Sequence, residues 1–412
     1  MELRPGYKKT EIGVIPEDWE VLALKQVLTS LELGGNYPNA TAPSPFPLMK
    51  MGNVSRGSFD LSKIEFVFGT PPSERHRLRS GDVIFNTRNT LDLVGKIAIW
   101  RDEIPVAYFN SNLMRLQFDP AVISSQHYAN LTLNTEAALS RLRAMATGTT
   151  SVAAIYTRDL LGLPIVVPPR PEQKVIAEAL SDVDASIAAL SRLIAKKRDL
   201  RLGAMQCLLT GQTRLPGFTA PWRETSFASL VRHHAGNSSL IKGKLSPYPI
   251  PGFFAAYSAS GQDVWHSAFE FEGAAIIVSA VGSRCGKAFV ADGKWSAIAN
   301  THVVWPNNTF VTTDFLMLFL NDEDFWQKSG TGQPFVLFKQ TFQRRVHLPC
   351  VNEQAAIARV LTDMDAEINA LDARLNKTRA LKQAMMQALL TGRVRLPVRR
   401  DAAPQTKEAA HA

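Results

Sequence analysis

Short clusters of polar and basic side chains in the first half of the sequence have the chemistry to contact a nucleic acid. One cluster is the segment NTRN and the other lies within MKMGNVSRG, each beside predicted strands. Arg and Lys bind phosphate oxygens, Arg also hydrogen-bonds guanine, and Asn hydrogen-bonds adenine. A loop tip between two strands can enter a groove of a duplex. The candidate contact residues are Lys50, Asn53, Arg56, Asn86, Thr87, Arg88 and Asn89.

The second half of the sequence carries side chains of the same kind. They follow the predicted strand GAAIIVSAVGS and continue in the small-residue segment SGTGQPF and just after it. The candidates here are Ser279, Ser283, Arg284, Lys287, Thr331, Gln333 and Lys339. Any one of these residues, taken alone, is more often a solvated turn residue than a ligand contact. The clusters as a set favour the binding interpretation.

Catalytic motifs are a poor match to this sequence. GSRCGKA resembles a nucleotide-binding loop, but it is one residue short and has Ala288 where Ser or Thr would hold magnesium. The segment VVPPR lacks the polar residue and the aromatic residue of a methyltransferase catalytic loop. His233 and His234 are adjacent and make poor joint metal ligands. We therefore predict that the chain is not an enzyme by itself.

Composition sets the class of protein and of partner. A chain of 412 residues with 45% hydrophobic and 20% charged residues is long enough for two or more domains. The net charge of +9 indicates a polyanionic partner, although solubility alone would also explain it. Three dispersed cysteines favour neither a disulfide framework nor a zinc site. Without an apolar leader or a membrane-length run, we expect a cytoplasmic protein that does not enter membranes.

An internal repeat supplies the elements that must position these clusters. The segment EQKVIAEALSDVDASIAALSRLIAKKRDLRLGAMQCLLTGQTRLP from Glu172 recurs from Glu353 without a gap, each residue 181 positions after its counterpart. About half of the paired positions are identical. Each copy follows a proline-containing stretch and ends in Leu-Leu-Thr-Gly, where Gly favours a left-handed cap. We predict two helices of about forty residues, or roughly 60 Å each.

Apolar residues in each copy alternate at spacings of four and three, which is the seam pattern of a coiled coil. The predicted seam residues are Ile176, Leu180, Val183, Ile187, Leu190 and Ile194 in the first copy and Ile357, Leu361, Met364, Ile368, Leu371 and Leu375 in the second. Such a stripe commonly lies on a globular core. The length and duplication favour an antiparallel pair about a pseudo-two-fold axis.

The regions before the two helices differ in sequence but share landmarks. Pro and Trp open each region, a Gly-initiated strand follows, and Gly-Lys then enters another strand, as in VGKIAIW and CGKAFV. The segments NSNLMRLQF and NTHVVWP come next in their respective regions. Each region is predicted to be a mixed α/β domain, which makes the whole chain α+β. A shared scaffold with divergent loops is typical of two readers for two ligands.

These motifs together resemble the specificity subunits of Type I restriction-modification systems. The resemblance rests on the duplicated helix with its EQ start and LLTG end, on GVIPEDWEV, on GDVIFNTRNTLDLVGK and on YSASG. It implies two target-recognition domains, each reading one half of a split site in double-stranded DNA, held apart by an antiparallel coiled coil. It also implies methyltransferase subunits docked on the helices and restriction subunits that join them. S-adenosylmethionine, ATP and magnesium would then be bound by those partners and not by this chain.

The predicted domains are a first target-recognition domain over 1–170, a spacer helix over 171–211, a second recognition domain over 212–351, a second helix over 352–397 and a disordered tail over 398–412. Other functions stay open. One is an orphan specificity subunit that serves methylation only, or a subunit that serves a fused methyltransferase-nuclease. Another is a coiled-coil scaffold whose basic surface binds an acidic protein. A third is a DNA enzyme with a degenerate active site.

Overall fold

A computed structural model describes residues 4–149, 151–321, 325–330 and 332–398. The chain divides into two units. Unit 1 contains the described residues up to Leu190 and from Arg374 onward, and unit 2 contains those from Ser191 to Ala373. Two long helices, α4 (Arg170–Leu209) and α8 (Val351–Leu389), each contribute one half to each unit.

The strands and shorter helices of unit 1 precede α4, within the segment predicted to be its recognition region. Its strands are β1 Tyr7–Thr10, β2 Gly13–Pro16, β3 Glu20–Ala23, β4 Leu28–Leu33, β5 Asn39–Ala40, β6 Pro47–Met49, β7 Glu65–Val67, β8 Val83–Asn86, β9 Arg88–Asn89, β10 Ile97–Ile99, β11 Tyr108–Phe109, β12 Leu113–Phe118, β13 Thr147–Gly148, β14 Ala153–Ala154 and β15 Pro164–Val167. Its shorter helices are α1 Gln126–Leu133, α2 Glu136–Met145 and α3 Thr157–Leu160.

Two four-stranded sheets form the frame of this region, in the orders β10-β8-β12-β4 and β11-β6-β7-β5. Strand β8 is buried on both faces, which explains its continuous apolar run. Val83 and Phe85 belong to one apolar cluster, together with residues of helices α1 and α2. Ile84, between them, belongs to a second cluster with Met49 of the other sheet. The sheet therefore carries a core on each side.

Unit 2 repeats this plan with other side chains. Its strands are β16 Arg223–Ser226, β17 Val231–Ala235, β18 Phe254–Ser258, β19 Gly261–His266, β20 Phe271–Glu272, β21 Ala275–Ser279, β22 Ala288–Ala291, β23 Lys294–Ala297, β24 Thr301–Pro306 and β25 Arg345–Leu348, and its short helices are α5 Phe227–Leu230, α6 Thr313–Leu320 and α7 Phe338–Phe342.

The sheet order β17-β24-β21-β22 in unit 2 mirrors β4-β12-β8-β10 in unit 1. Strand β21 is also buried on both faces, with Ile276 and Val278 in one apolar cluster and Ile277 in another. Parallel pairing recurs as well, between β6 and β11 in unit 1 and between β18 and β23 in unit 2. The predicted mixed α/β domains and the α+β class are confirmed.

The long helices pack against each other in opposite directions. In unit 1, Ile176 and Leu180 near the start of α4 share an apolar cluster with Leu389 near the end of α8. In unit 2, Leu208 near the end of α4 shares a cluster with Ile357 and Leu361 near the start of α8. The predicted antiparallel pair is confirmed. Every predicted seam residue is buried or half-buried, and those near each helix start also pack on the adjacent recognition region.

Reciprocal ion pairs join the ends of the two repeat copies. The side chain of Glu172 at the start of α4 is 2% exposed, and its Oε2 lies 2.7 Å from Nη2 of Arg395, which follows α8. In unit 2 the roles of the two copies are exchanged. Glu353 at the start of α8 pairs with Arg214, which follows α4, and Arg214 Nε lies 2.6 Å from Glu353 Oε1. Trp19 Nε1 also donates to Glu172. Each helix start is thus neutralised by the other copy's end.

A second reciprocal pair lies farther along the helices. Lys382 Nζ is 2.6 Å from Asp184 Oδ1 in unit 1. The matching positions in unit 2 are Arg201 and Asp365, whose Nη2 and Oδ2 are 2.8 Å apart. Because each acid is in one copy and each base in the other, these pairs favour the antiparallel register in both units.

The helix boundaries differ slightly from the predicted ones. Helix α8 ends at Leu389, whereas the predicted helix ran to residue 397. Gly392 follows in a left-handed conformation with φ 69°, and Gly211 occupies the matching position after α4 with φ 72°. These glycines end the helices because they reverse the backbone at little steric cost. The predicted tail, apart from Val398, lies outside the described residues.

No helix in the described ranges is long and apolar enough to span a membrane. Within the same part of the chain, no three His, Cys, Asp or Glu side chains are grouped as a metal site would require.

The Gln of each repeated EQ dipeptide hydrogen-bonds backbone groups of the adjacent segment. Gln173 is fully buried, accepts from Ser124 N at 2.9 Å and donates to the carbonyl oxygens of Val122 and Pro168. Gln354 does the same in unit 2, where it accepts from Thr312 N and donates to Phe310 and Pro349. Each Gln therefore fixes its recognition region on the helix start.

We predict that Gln173→Ala destabilises unit 1 by about 2–4 kcal/mol, because one backbone N–H and two carbonyl groups lose their buried partner. Chemical denaturation with a probe in unit 1 measures the loss. Gln383→Ala, at an exposed position of α8 in the same unit, is the matched control and is expected to change stability by less than about 0.5 kcal/mol. Equal stability of both variants would contradict the assigned role of Gln173.

Candidate nucleic-acid interface

The predicted contact segment of unit 1 follows the buried strand β8 and is held more firmly than a free loop. Arg88 and Asn89 form strand β9, which pairs with β14 in the three-stranded sheet β13-β14-β9. Strand β13 lies in the small-residue segment ATGTTSV from Ala146, and β14 directly follows that segment, before α3. The prediction of an open loop at Arg88 and Asn89 was therefore wrong. The polar segment around Arg88 and the small-residue segment after α2 belong to the same three-stranded sheet.

The side chains of this segment have different environments. Asn86 is fully buried, and its Oδ1 accepts from Arg88 N at 3.3 Å. The Thr87 hydroxyl donates to the carbonyl of Asn112 at 2.9 Å, and Asn89 Oδ1 accepts from its neighbouring N–H. Arg88 is exposed, and its guanidinium has no ion pair or hydrogen bond among the described residues. Arg88 is the side chain of this segment best placed to meet an anion.

Two side chains of the MKMGNVSRG cluster interact with neighbouring residues of the same region and are not free to contact a ligand. Lys50 Nζ lies 2.9 Å from Glu65 Oε2. Asn53 is buried, and its amide nitrogen donates to the carbonyls of Asp60 and Lys63. Arg56 is exposed, and partial burial together with the positive charge of Arg143 lowers its pKa. Asn53 thus supports the loop from within, and Arg56 is the cation that this loop presents to solvent.

A cavity of about 350 Å³ opens beside Arg88. Apolar side chains of β4 and β12 form part of its wall, and the start of α3 closes another side. Its lining residues are Leu33, Thr87, Arg88, Ser111, Asn112, Met114, Ala154, Ile155, Tyr156 and Thr157. Sequence reasoning treated the segment NSNLMRLQF as a landmark only and missed Ser111, Asn112 and Tyr156 as candidate contacts. The available signal was the Asn that recurs in the matching segment of unit 2.

Unit 2 presents its candidates on the matching segment after β21. Ser279 is fully buried, whereas Ser283, Arg284 and Lys287 are exposed. Arg284 Nη1 donates to the carbonyl of Ser260 at 3.2 Å, which directs this cation toward the YSASG turn. Gln333 and Lys339 are also exposed, and Thr331 lies outside the described residues.

The backbone hydrogen bonds show which positions match between units. Asn86 N donates to the carbonyl of Lys96 at 2.8 Å, and Ser279 N donates to that of Lys287 at 2.8 Å. The N–H of Ile155 donates to Thr87, as the N–H of Val336 donates to Ala280. The framework is therefore the same, while the side chains that reach solvent from it differ.

An aromatic stack occupies the place in unit 2 that matches the cavity of unit 1. His302 Nδ1 lies 2.7 Å from His233 Nε2, and the rings of His302 and Phe338 have centroids 4.0 Å apart. Burial, and then the nearby His233, lowers the pKa of His302 to about 4. These rings replace Met114 of β12 and Thr157 of α3, so the two units present differently shaped surfaces at equivalent positions.

A model of the Type I restriction modification DNA specificity domain matches residues 16–196 and 264–378. This match extends over more than half of the chain and includes both recognition regions in part. The chain belongs to the family of Type I restriction modification DNA specificity domains. The resemblance drawn from the sequence motifs is confirmed.

Two curated relatives come from Methanocaldococcus jannaschii. The chain is 29% identical to the type I MjaX specificity subunit over 207 residues, which are 50% of this chain and 48% of that protein. It is 28% identical to the type I restriction enzyme MjaVIII specificity subunit over 219 residues, which are 51% of this chain and 50% of that protein. The chain spans about half the length of the curated relatives it matches.

Two solved structures share the fold. The S subunit of a Type-I restriction-modification system from M. genitalium superposes with a TM-score of 0.60 and 15% identity, covering 94% of this chain and 98% of that one. A chain from structures of complex assembly and conformational transition of the type I R-M system gives a TM-score of 0.57 with 16% identity, covering 92% and 99%. At these identities the likeness concerns the fold.

We predict that Arg88→Ala weakens DNA binding by about 1–3 kcal/mol, or roughly 5- to 150-fold in Kd, because a predicted DNA contact is lost whose guanidinium is exposed and has no partner among the described residues. Titration of the assembled complex with target duplex at several salt concentrations measures it. Arg79→Ala is the matched control, because Arg79 is also exposed but precedes β8, at its opposite end. Unchanged affinity and salt dependence for Arg88→Ala would remove this residue from the interface.

Proposed function

We propose that this chain is the DNA-recognition subunit of a Type I restriction-modification complex and that each unit reads one half of a bipartite site in double-stranded DNA. Family membership supports the general role. The observation that carries the finer proposal is the duplicated framework, in which matched backbone positions present different side chains. One framework with two side-chain sets suits two half-sites of different sequence.

In this proposal, different side chains contact the phosphates and the base edges of the DNA. Exposed cations such as Arg56 and Lys287 contact phosphates and supply affinity that falls with salt. Polar side chains near β9 and after β21 contact base edges and supply specificity. The buried Asn86 supports its segment by accepting a hydrogen bond from Arg88 N, and the buried Ser279 is not exposed for contact. This division explains why only some of the candidate side chains are exposed.

Catalysis belongs to partner subunits in this proposal. We propose that methyltransferase subunits dock on the α4–α8 pair and that restriction subunits join the assembly. S-adenosylmethionine, ATP and magnesium would be bound by those subunits. The support is the family, together with a related fold that comes from structures of complex assembly in a type I R-M system. The chain itself would then direct the chemistry by choosing the site.

The helix pair has a further role in the proposal. Helices α4 and α8 are continuous over 40 and 39 residues, and each contributes to both units. Packed helices with paired charges resist bending, so their length would set the number of unread base pairs between half-sites, as dimer geometry does for other DNA-binding proteins.

Methylation mapping tests the recognition role. Cells that produce the cognate methyltransferase subunit are compared with and without this chain by long-read sequencing. We expect methylation at one bipartite motif only when the chain is present, because the partner lacks its own reader. A motif that is unchanged in the absence of the chain would reject the proposal and favour a scaffold function.

A heptad insertion tests the spacer. Seven helical residues inserted after Leu190 in α4 and after the matching Leu371 in α8 add about 10 Å, or about three base pairs of DNA. We expect the unread spacer to lengthen while both half-sites keep their sequences. Insertion in α4 alone is the control and is expected to disrupt the pair. A spacer of unchanged length in the double insertion would show that the helices do not set it.

A further inference from the structure

The cavity beside Arg88 contains several polar groups that the fold itself does not use. The side chains of Arg88, Ser111, Asn112 and Tyr156 have no hydrogen-bonding partner among the described residues. Tyr156 is 54% exposed, and Leu33 and Met114 give the cavity an apolar wall. A concave site with a few unpaired polar groups and apolar walls is typical of a ligand site.

Asn112 differs from its neighbours because its backbone and its side chain have separate tasks. The Asn112 carbonyl accepts from both the N–H and the hydroxyl of Thr87, at 3.0 and 2.9 Å. Its backbone N–H donates to Asn110 Oδ1. The side-chain amide is half-buried and has no such partner in the described structure. The fold therefore requires the backbone at this position and leaves the amide for a ligand.

Unit 2 has an Asn at the matching position. The Asn300 carbonyl accepts from Ala280 N at 2.9 Å, and its exposed side-chain amide likewise makes no hydrogen bond to a described residue. Asn300 has a left-handed backbone with φ 65°. The surrounding side chains have changed, since Tyr156 is matched by Leu337. Two amides that remain unpaired in different surroundings indicate a shared ligand chemistry.

We propose that Asn112 and Asn300 are specificity-determining residues, each hydrogen-bonding the edge of one adenine in the half-site read by its unit. This inference rests on the proposed function and deepens it. A carboxamide presents one acceptor beside one donor, which matches the N6 and N7 groups of adenine in the major groove. In unit 1 the adenine edge faces the rim of the cavity, where Arg88 and Tyr156 flank Asn112.

The test uses two variants chosen for their backbones. Asn112→Ala removes the amide and keeps the carbonyl that binds Thr87. Asn300→Gly removes the amide and retains a residue suited to φ 65°. Each variant is assembled with the methyltransferase and titrated with duplexes in which single adenines of either half-site are replaced by 7-deaza-adenine, which lacks the N7 acceptor.

For the native complex we expect one adenine in each half-site whose replacement weakens binding by about tenfold, in the range of a lost bidentate contact. Asn112→Ala is expected to remove this sensitivity in one half-site only, and Asn300→Gly in the other half-site only. Each variant therefore serves as the folding and assembly control for the other.

Two results would overturn the inference while leaving the proposed function intact. One is a native complex that selects its site but shows the same 7-deaza sensitivity in both variants. The other is a variant that loses affinity equally for all duplexes, which is the behaviour of a phosphate contact. A native complex with no preference among duplexes would reject the proposed function, and this inference with it.

Discussion

A buried carboxylate at the start of each long helix is the constraint on which both units depend. Glu172 and Glu353 have side chains that are 2% and 1% exposed, and an unpaired charge at such a depth is strongly destabilising. The neutralising arginine in each unit comes from the segment after the other helix. Neither repeat copy can therefore satisfy its own carboxylate, and each unit needs both copies.

The same ends of the helices also hold the recognition regions. Gln173 and Gln354, next to the buried carboxylates, bind backbone groups of the segments that lead into α1 and α6. In unit 2, residues of both helices enter the apolar cluster below the main sheet, and in unit 1 they share an apolar cluster with helix α1. The repeated sequence thus contains the groups that close and fasten each unit. The regions between them are free to differ, as the ring stack of His302 and Phe338 in unit 2 shows.

The sequence was sufficient to predict the elements with long-range regularity. The repeat predicted both helices and the four-three spacing predicted the seam, although the predicted second helix ran past Gly392 to residue 397. Alternation could not reveal that β8 and β21 are buried on both faces, because a continuous apolar run is also compatible with a buried helix. The pairing of Arg395 with Glu172 joins residues 223 positions apart, and no local pattern identifies such partners.

The candidate site was less predictable than the fold. Residue type suggested Asn53 and Asn86, yet both side chains are buried and used within the structure. Exposure depends on which face of a strand or turn a side chain occupies, and short irregular segments do not encode this by periodicity. Asn112 was not predicted as a contact residue, although its side chain is unpaired. It directly precedes strand β12, and the apolar pattern of that strand determined how the segment was interpreted. The roles of the individual contact residues in DNA binding stay predictions.

The most direct test of this account is a double-mutant cycle across the reciprocal ion pair of unit 1. The free energy of unfolding is measured for the native protein, Glu172→Gln, Arg395→Gln and the double variant, with Gln at 172 retaining an acceptor for Trp19. We expect a coupling energy of about 1.5–3 kcal/mol, because Arg395→Gln alone leaves the buried Glu172 charge without its arginine, whereas the double variant has no charge at position 172. Arg395 keeps its ion pair with Asp18 in Glu172→Gln, so the coupling measures the Glu172 pair. A coupling energy near zero would show that the two repeat copies do not depend on each other in this way.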